Sequence, residues 1–338
     1  MQIYCEHISQ FLQLFRILYA HRVGKIILGI LKDGKMNGTI KWKNIEDLAN
    51  KNIASLVFNS ELNFNLQVHT IADVIYNNKN IKLVLIAGPS ASGKTTFANL
   101  LSERLVFLGA NVHRISLDDF FFNRDDIEFL PSGVRDFDSP KALDMNALRN
   151  VLQGIINGDA VEIPQFDFAT GTRGKASNIL YTEQEDVVII EGIHALNPLL
   201  FEGFNPKCQV HKIAIAPRRN FSMPDNRKIA PNDLRLLRRL IRDYFTRGHT
   251  LQATVAQWKE VLLAEKQYVL PYLEAADSLV DSVYEYELII YKHCFYNKLA
   301  SSEVKGLEEL KAALATVADF EIPSIPFSSL INEFVFYD

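Results

Sequence analysis

The sequence predicts an α/β fold, a doubly wound and mainly parallel sheet with helices on both faces. Three observations carry this expectation. Runs such as "IKLVLIAG" and "DVVIIEG" are apolar without alternation, as strands buried on both faces must be. They alternate along the chain with stretches of helical spacing. A glycine-rich turn also lies directly between one of these strands and a helix, which is where such sheets bind ligands.

The 338-residue chain is long enough for one large domain or two modest ones. With 48% hydrophobic and 22% charged residues it has the composition of a soluble globular protein. The net charge of -4 argues against a general nucleic-acid partner. Cys5, Cys208 and Cys294 lie far apart without metal-ligand spacing, as expected for reduced thiols in the cytoplasm. Glu6, Arg16, His21 and Arg22 interrupt the apolar start, which lacks a basic leader and a small-residue cleavage site. No uncharged run reaches the ~20 residues of a membrane helix. A cytoplasmic protein with no membrane or nucleic-acid partner is expected.

Residues 1–75 read as a small N-terminal α/β appendage without visible chemistry. "HISQFLQLFRILYA" has helical spacing, "KIILGILKDGKMNGTIKW" suggests two strands about a turn, and "IEDLANKN" suggests a short helix. Residues 76–300 carry the repeated strand, loop and helix. "IKLVLIAG" precedes a helix from about Lys94 to Leu108, and "NVHRISL" is the next strand. "MNALRNVLQGIING" is helical, while "DVVIIEG", "HKIAIA" and a late "DSVYEYELIIY" read as strands. Residues 301–338 suggest a helix, "LEELKAALATVADF", and a packed tail, "IPSIPFSSLINEFV". No internal repeat or low-complexity segment is present.

The turn "GPSASGKTT" fits the pattern G-x-x-x-x-G-K-[ST] through Gly88, Gly93, Lys94 and Thr95. Its glycines let backbone N–H groups converge on phosphate oxygens, and the following helix adds its positive end at the same place. Strand before and helix after make it a P-loop, so the sheet is expected to be of the P-loop NTPase type. Gly88, Ser90, Ala91, Ser92, Gly93, Lys94, Thr95 and Thr96 are the expected nucleotide-binding residues. Lys94 would reach the β- and γ-phosphates of ATP, and the Thr95 hydroxyl would ligate Mg²⁺. Glu191 ends a buried strand and should face the same crevice as a second metal-site residue.

The next strand ends in "RISLDDFFFNR". A hydroxyl attacking a γ-phosphate needs an acceptor for its proton, and Asp is the usual one. Asp118, nearer the strand than Asp119, is the expected base and touches the acceptor. In "LRLLRRLIRDYFTRG", Arg235, Arg238, Arg239 and Arg242 share one helical face, with Arg247 just beyond. Like charges on one stripe call for an anion, so residues 217–248 are expected to form a helical lid closing on ATP. Arg235 and Arg247 would bind the nucleotide, and Arg238 and Arg242 would stabilise the transferring phosphoryl group.

These ordered motifs, with "DFDSPKALD", "IPQFDFATGTR" and "VVIIEGIHALNP", resemble the uridine kinase and phosphoribulokinase family of P-loop kinases. The likeness runs from about Asn78 to the end and is nearest to the longer bacterial uridine kinase-like nucleoside kinases. It implies a kinase that phosphorylates a sugar hydroxyl, with Mg²⁺-ATP as donor and a ribonucleoside 5′-hydroxyl as acceptor. The family's catalytic Asp matches Asp118, its ribose-binding Asp matches Asp138, its magnesium Glu matches Glu191 and its lid arginines match the helix from Arg235. Phe166 and Arg173 fall in the segment that lines the acceptor pocket. Uridine–cytidine kinases carry a Tyr where Phe166 stands and a His where Gly171 stands, side chains that help recognise the pyrimidine. The resemblance gives residues 1–75 no function, and a homo-oligomer is expected. The competing readings are a kinase for another small alcohol, like phosphoribulokinase or pantothenate kinase, and a non-catalytic nucleotide-binding regulator.

Overall fold

The sheet is built around its most apolar strand. The computed structural model describes residues 38–174, 178–203, 205–206, 208–322 and 324–335. Chain contacts divide Met1–Gly38 from Thr39–Asp338, and the second unit carries the sheet. In chain order the first elements are β1 (Thr39–Lys41), α1 (Trp42–Asn77), β2 (Ile81–Ala87), α2 (Lys94–Phe107), β3 (Val112–Ser116) and α3 (Met145–Asn157). Short strands follow, β4 (Val161–Ile163), β5 (Phe166–Asp167), β6 (Thr172–Arg173) and β7 (Asn178–Leu180). Then come β8 (Val187–Glu191), β9 (Gln209–Ala216), β10 (Asn220–Ser222), β11 (Lys228–Ile229), α4 (Pro231–Thr246) and α5 (Leu251–Tyr268). The last are α6 (Leu270–Leu273), β12 (Ser278–Asp281), α7 (Glu287–Ala300) and α8 (Glu308–Ala315).

The central sheet has the order β12-β9-β2-β8-β3, every pair parallel. All seven residues of β2 are buried, so its lack of alternation has a plain cause. Val84 and Ile86 point into one core with Ile71 of α1, Phe97 of α2, Leu237 of α4 and Ile290 of α7. Leu83 and Leu85 point into the other, with Leu148 and Leu152 of α3 and with Leu200. Each fully buried side chain of this size contributes on the order of 1.5–3 kcal/mol. The expected doubly wound α/β sheet is what the chain forms.

The helix expected at "HISQFLQLFRILYA" and most of the strand pair expected at "KIILGILKDGKMNGTIKW" lie outside the described residues. The end of that segment is β1, which pairs in parallel with β10, itself antiparallel to β11. The helix read in "IEDLANKN" stops where expected, at Asn52, whose extended φ of −167° and ψ of 95° interrupt α1. A second helical stretch, 53–77, was not anticipated. Phe64, Val68, Ile71, Ala72 and Ile75 bury its inner face at helical spacing in the same core as the sheet. Its Gln67 amide accepts from Asp281 N–H at 2.9 Å and donates to Asp281 O at 3.1 Å, covering the open edge of β12.

The late strand expected over "DSVYEYELIIY" is a correction. The strand is β12, which ends at Asp281, and Glu287 opens α7. Alternating aromatics gave a strand-like pattern, but Leu288, Tyr291, Phe295 and Leu299 bury one helical face. Tyr284 N–H donates to Glu287 Oε1 at 3.0 Å and sets the intervening turn. The packed tail is observed, with Leu330, Ile331, Phe334 and Val335 buried. No helix among the described residues is long and apolar enough to cross a membrane.

Candidate active site

Since β2 ends at Ala87 and α2 begins at Lys94, the P-loop is the whole connection between them. A Cβ on Gly88 would lie 2.0 Å from Ile215 O, so only glycine passes under β9 there. Gly93 at φ 87° and Ala91 at φ 58° turn the backbone the left-handed way. The alanine conformation costs on the order of 1 kcal/mol and persists only where the surroundings impose it. Here they do. Ser90 N–H donates to Glu265 Oε1 at 2.7 Å, and Ser90 O accepts from Arg235 Nε at 2.8 Å. Arg239 Nη1 reaches Ser90 Oγ at 3.3 Å, and Arg238 Nη1 reaches Ala91 O at 3.4 Å. The Ser90 amide is therefore committed to Glu265. The first turn of α2 still leaves N–H groups without intrahelical partners at the concave side. Lys94 Nζ rests on Pro89 O at 3.2 Å.

Register places Glu191 at the end of β8 opposite Ser116 of β3 and Ile86 of β2. Thr95 Oγ1 and Ser116 Oγ both donate to Glu191 Oε1 at 3.2 Å. Gly192 must follow, because a Cβ there would sit 2.6 Å from Leu117 Cβ. Burial, then the nearby Asp118 carboxylate, push the Glu191 carboxyl up to about 7, against the pull of Lys94. Acids crowded at one point suit a cation, and hydroxyl and carboxylate oxygens are the donors that Mg²⁺ takes. Among the described residues no three or more His, Cys, Asp or Glu side chains form a metal cluster, so phosphate and water oxygens would complete the shell.

Asp118 and Asp119 leave β3 in a single short turn, Leu117–Phe120. Burial raises the Asp118 carboxyl, while Lys94, Arg247 and Arg242 draw it back down. Asp119 Oδ1 accepts Phe166 N–H at 3.3 Å, so this acid anchors the β5–β6 hairpin. The Phe166 ring lies 5.7 Å from Phe121 and 5.1 Å from Phe168 in an aromatic group beside the turn. A Cβ on Gly171 would stand 2.6 Å from the Arg124 guanidinium, which fills the space of a side chain. Arg173 is taken by Asp144 Oδ2 and Phe120 O, each at 3.0 Å, and so braces the acidic turn.

Burial pushes the Asp138 carboxyl up to about 6; Arg239 opposes this, and Glu265, Asp136 and Asp118 add to it. His194 is buried beside the Asp138 backbone, and burial pulls its ring down to about 4, so it is neutral at physiological pH.

Arg235 and Arg238 of the expected arginine stripe are buried rather than exposed for a lid. Arg238 is 0% exposed and Arg235 only 3%, so α4 is buried on nearly its whole circumference. The anions facing the arginines belong to the chain itself. Arg238 Nη2 pairs with Glu287 Oε2 at 2.8 Å, and Arg235 pairs with Glu265 while its guanidinium lies over Trp258. Arg235 and Arg238 thus grip the outer wall of the P-loop, with their donors on its carbonyls. Arg242 and Arg247 act through their charge on the Asp118 carboxyl.

Asp243, 1% exposed, gathers the remaining cations and was not anticipated. Its Oδ1 takes Arg242 Nε at 3.0 Å and Nη2 at 2.8 Å, and its Oδ2 takes Arg239 Nε at 3.3 Å. Arg247 Nε stands 3.7 Å away, with its pKa lowered to about 10 by burial and by Arg242. The spacing of Asp243 from Arg239 and Arg247 was a readable signal, since residues four apart share a helix face. Asp243→Asn should destabilise the protein by about 3–5 kcal/mol, because it strands guanidinium groups in a buried site. Denaturant unfolding measures this, and a loss below ~1 kcal/mol would remove Asp243 as their organiser.

Residues 83–198 and 228–288 match the model of the phosphoribulokinase / uridine kinase family. A uridine kinase of Staphylococcus haemolyticus is 30% identical over 203 residues, which span 60% of this chain and 87% of that one. A uridine kinase of Macrococcus caseolyticus is 30% identical over 200 residues, spanning 59% and 86% respectively. The solved structure of a possible uridine kinase from Bacillus stearothermophilus covers 64% of this chain and 97% of its own, at 19% identity and a TM-score of 0.42. The family match spans both the P-loop half, with Asp118 and Glu191, and the arginine helix with its counter-charges. The chain belongs to the phosphoribulokinase / uridine kinase family of kinases.

Proposed function

We propose that this kinase transfers the γ-phosphoryl group of Mg²⁺-ATP to the 5′-hydroxyl of a ribonucleoside in the cytoplasm. The observation that carries the reading is the convergence at the ends of β2, β3 and β8, where Thr95 and Ser116 both donate to Glu191 at 3.2 Å and Asp118 follows Ser116 by two residues. Lys94 and the first-turn amides of α2 hold the phosphates. Asp138 accepts hydrogen bonds from the ribose hydroxyls and aims the 5′-oxygen. Asp118 takes the proton as that oxygen bonds phosphorus and the bond to the ADP oxygen breaks. Arg242 and Arg247 balance charge on the transferring group. Mg²⁺, held by Thr95 and Glu191 or its water, would supply further neutralisation of the phosphate oxygens.

A panel of nucleosides and sugar alcohols with Mg²⁺-ATP tests this, read as acceptor-dependent ADP release. Ribonucleosides should exceed 2′-deoxyribonucleosides by roughly 5- to 150-fold in kcat/KM, because a missing hydroxyl leaves a buried acceptor unpaired. Discrimination among bases should be weak, since Phe166 offers a ring face without a hydroxyl and Gly171 no side chain. The same two positions favour a second reading, a kinase for another small alcohol. That reading takes over if only a non-nucleoside alcohol releases ADP.

Acceptor binding should also depend on pH through Asp138. Its carboxyl is ionised above about 6 and protonated below, and only the ionised form accepts from both hydroxyls. Calorimetric affinity for the acceptor should therefore be level above that value and weaken roughly tenfold per unit below it. In Asp138→Asn this dependence should vanish along with most of the ribose preference. An unchanged profile would detach Asp138 from the acceptor.

A further inference from the structure

The C-terminal tail lies across the phosphate-binding turn. Leu330 packs onto Gly93, its Cδ1 2.1 Å from where a Cβ would stand. Leu330, Ile331 and Phe334 are fully buried, and Phe334 lies 5.1 Å beneath the Arg238 guanidinium. Ser329 Oγ meets the Tyr286 hydroxyl at 3.2 Å. Packing therefore fixes the seat of the tail and leaves half-buried Glu333 directed at the start of α2. Glu333 Oε2 accepts from Thr96 Oγ1 at 2.7 Å and from Thr96 N–H at 3.3 Å. Gly93, at the N-cap of α2, has no side chain to cap it, and a carboxylate 237 residues along the chain does so instead. Both donors that Thr96 could offer a phosphate are thus taken, by a group with the charge and oxygen chemistry of a phosphate.

We propose that Glu333 is a nucleotide-selecting residue: its carboxylate holds the place of a phosphate oxygen on Thr96 and gives it up when nucleotide binds. The proposal rests on the nucleotide-site reading above. It makes affinity depend on the charge brought in, because a displaced but tethered carboxylate stays beside the phosphates. Mg²⁺ cancels part of the nucleotide's negative charge, so the repulsion falls mainly on metal-free nucleotide. Glu333 then favours the metal-complexed form that the reaction needs. Its field already reaches the metal site, where it adds to the upward pressure on Glu191.

Calorimetric titration of the full chain with ATP, in EDTA and in excess Mg²⁺, tests this on wild type, Glu333→Gln and Glu333→Asp. Glutamine keeps the shape and can still accept from Thr96, but carries no charge. Glu333→Gln should bind metal-free ATP roughly tenfold more tightly than wild type, with a smaller gain for the Mg²⁺ complex. Aspartate keeps the charge but is one methylene too short to hold Thr96, so Glu333→Asp should also bind more tightly. Thermal unfolding without nucleotide should show the tail still seated, with melting within a few degrees of wild type. Unchanged or weaker affinity in Glu333→Gln would make the carboxylate a fixed helix cap and overturn the proposal. Tighter binding in Glu333→Gln alone would leave only a field effect and overturn the exchange at Thr96. If wild type and both variants all fail to bind ATP, the nucleotide-site reading itself falls, and this inference with it.

Discussion

Lys94→Ala is expected to lower kcat/KM by roughly 10³-fold or more, a loss of about 4 kcal/mol of transition-state stabilisation. The size follows from charge and distance. A unit charge about 4 Å from another is worth about 4 kcal/mol at the effective dielectric of a partly buried site. The γ-phosphoryl group gains its critical charge distribution only during transfer, so part of this interaction lowers the barrier as well as aiding binding. The loop should survive the change. Its form depends on Gly88, Ala91 and Gly93 and on the outer grip of Arg235, Arg238 and Glu265, whereas the Lys94 ammonium donates a hydrogen bond to Pro89 O and otherwise acts through its charge on Asp118 and Glu191. Steady-state kinetics beside a melting curve decides the matter. Near-normal activity in a folded Lys94→Ala protein would remove the P-loop from the mechanism.

The legible parts of this chain are those whose residue types are forced by local geometry. Gly88 and Gly93 admit no side chain, so the turn from β2 to α2 could be placed to the residue. The non-alternating strands announced a sheet covered on both faces, and Glu191 at a strand end fell beside Thr95 as that topology requires. Periodicity, however, says which residues share a face and nothing about what packs against it. The arginine stripe of α4 was visible, but Arg235 finds Glu265 30 residues on, and Arg238 finds Glu287 49 residues on. Neither acid has a local pattern that points back. The contact of Glu333 with Thr96 is more remote still. Asp243 is the different case, since its spacing from Arg239 and Arg247 on one helix made it readable. Late in the chain, alternating tyrosines outweighed the helical spacing that follows them.

Asp118→Asn is expected to reduce kcat by roughly 10²- to 10⁴-fold while nucleotide still binds. The substitution keeps shape and removes the proton acceptor, and its secondary effect has a definite sign. The Asp118 charge is among the causes that raise the Glu191 carboxyl. Removing it should let Glu191 ionise more readily, so affinity for Mg²⁺-nucleotide should hold or rise as turnover collapses. A general structural defect would lower both together. Asp119→Ala should behave otherwise, because it removes the oxygen that anchors Phe166 N–H and with it the acceptor hairpin. It should raise the acceptor KM and leave kcat within about tenfold of wild type. The two variants therefore separate along different axes, turnover for one and acceptor binding for the other. If Asp119→Ala loses more in kcat than Asp118→Asn, the base is Asp119, and the Lys94, Arg242 and Arg247 field around Asp118 serves only to hold the phosphates.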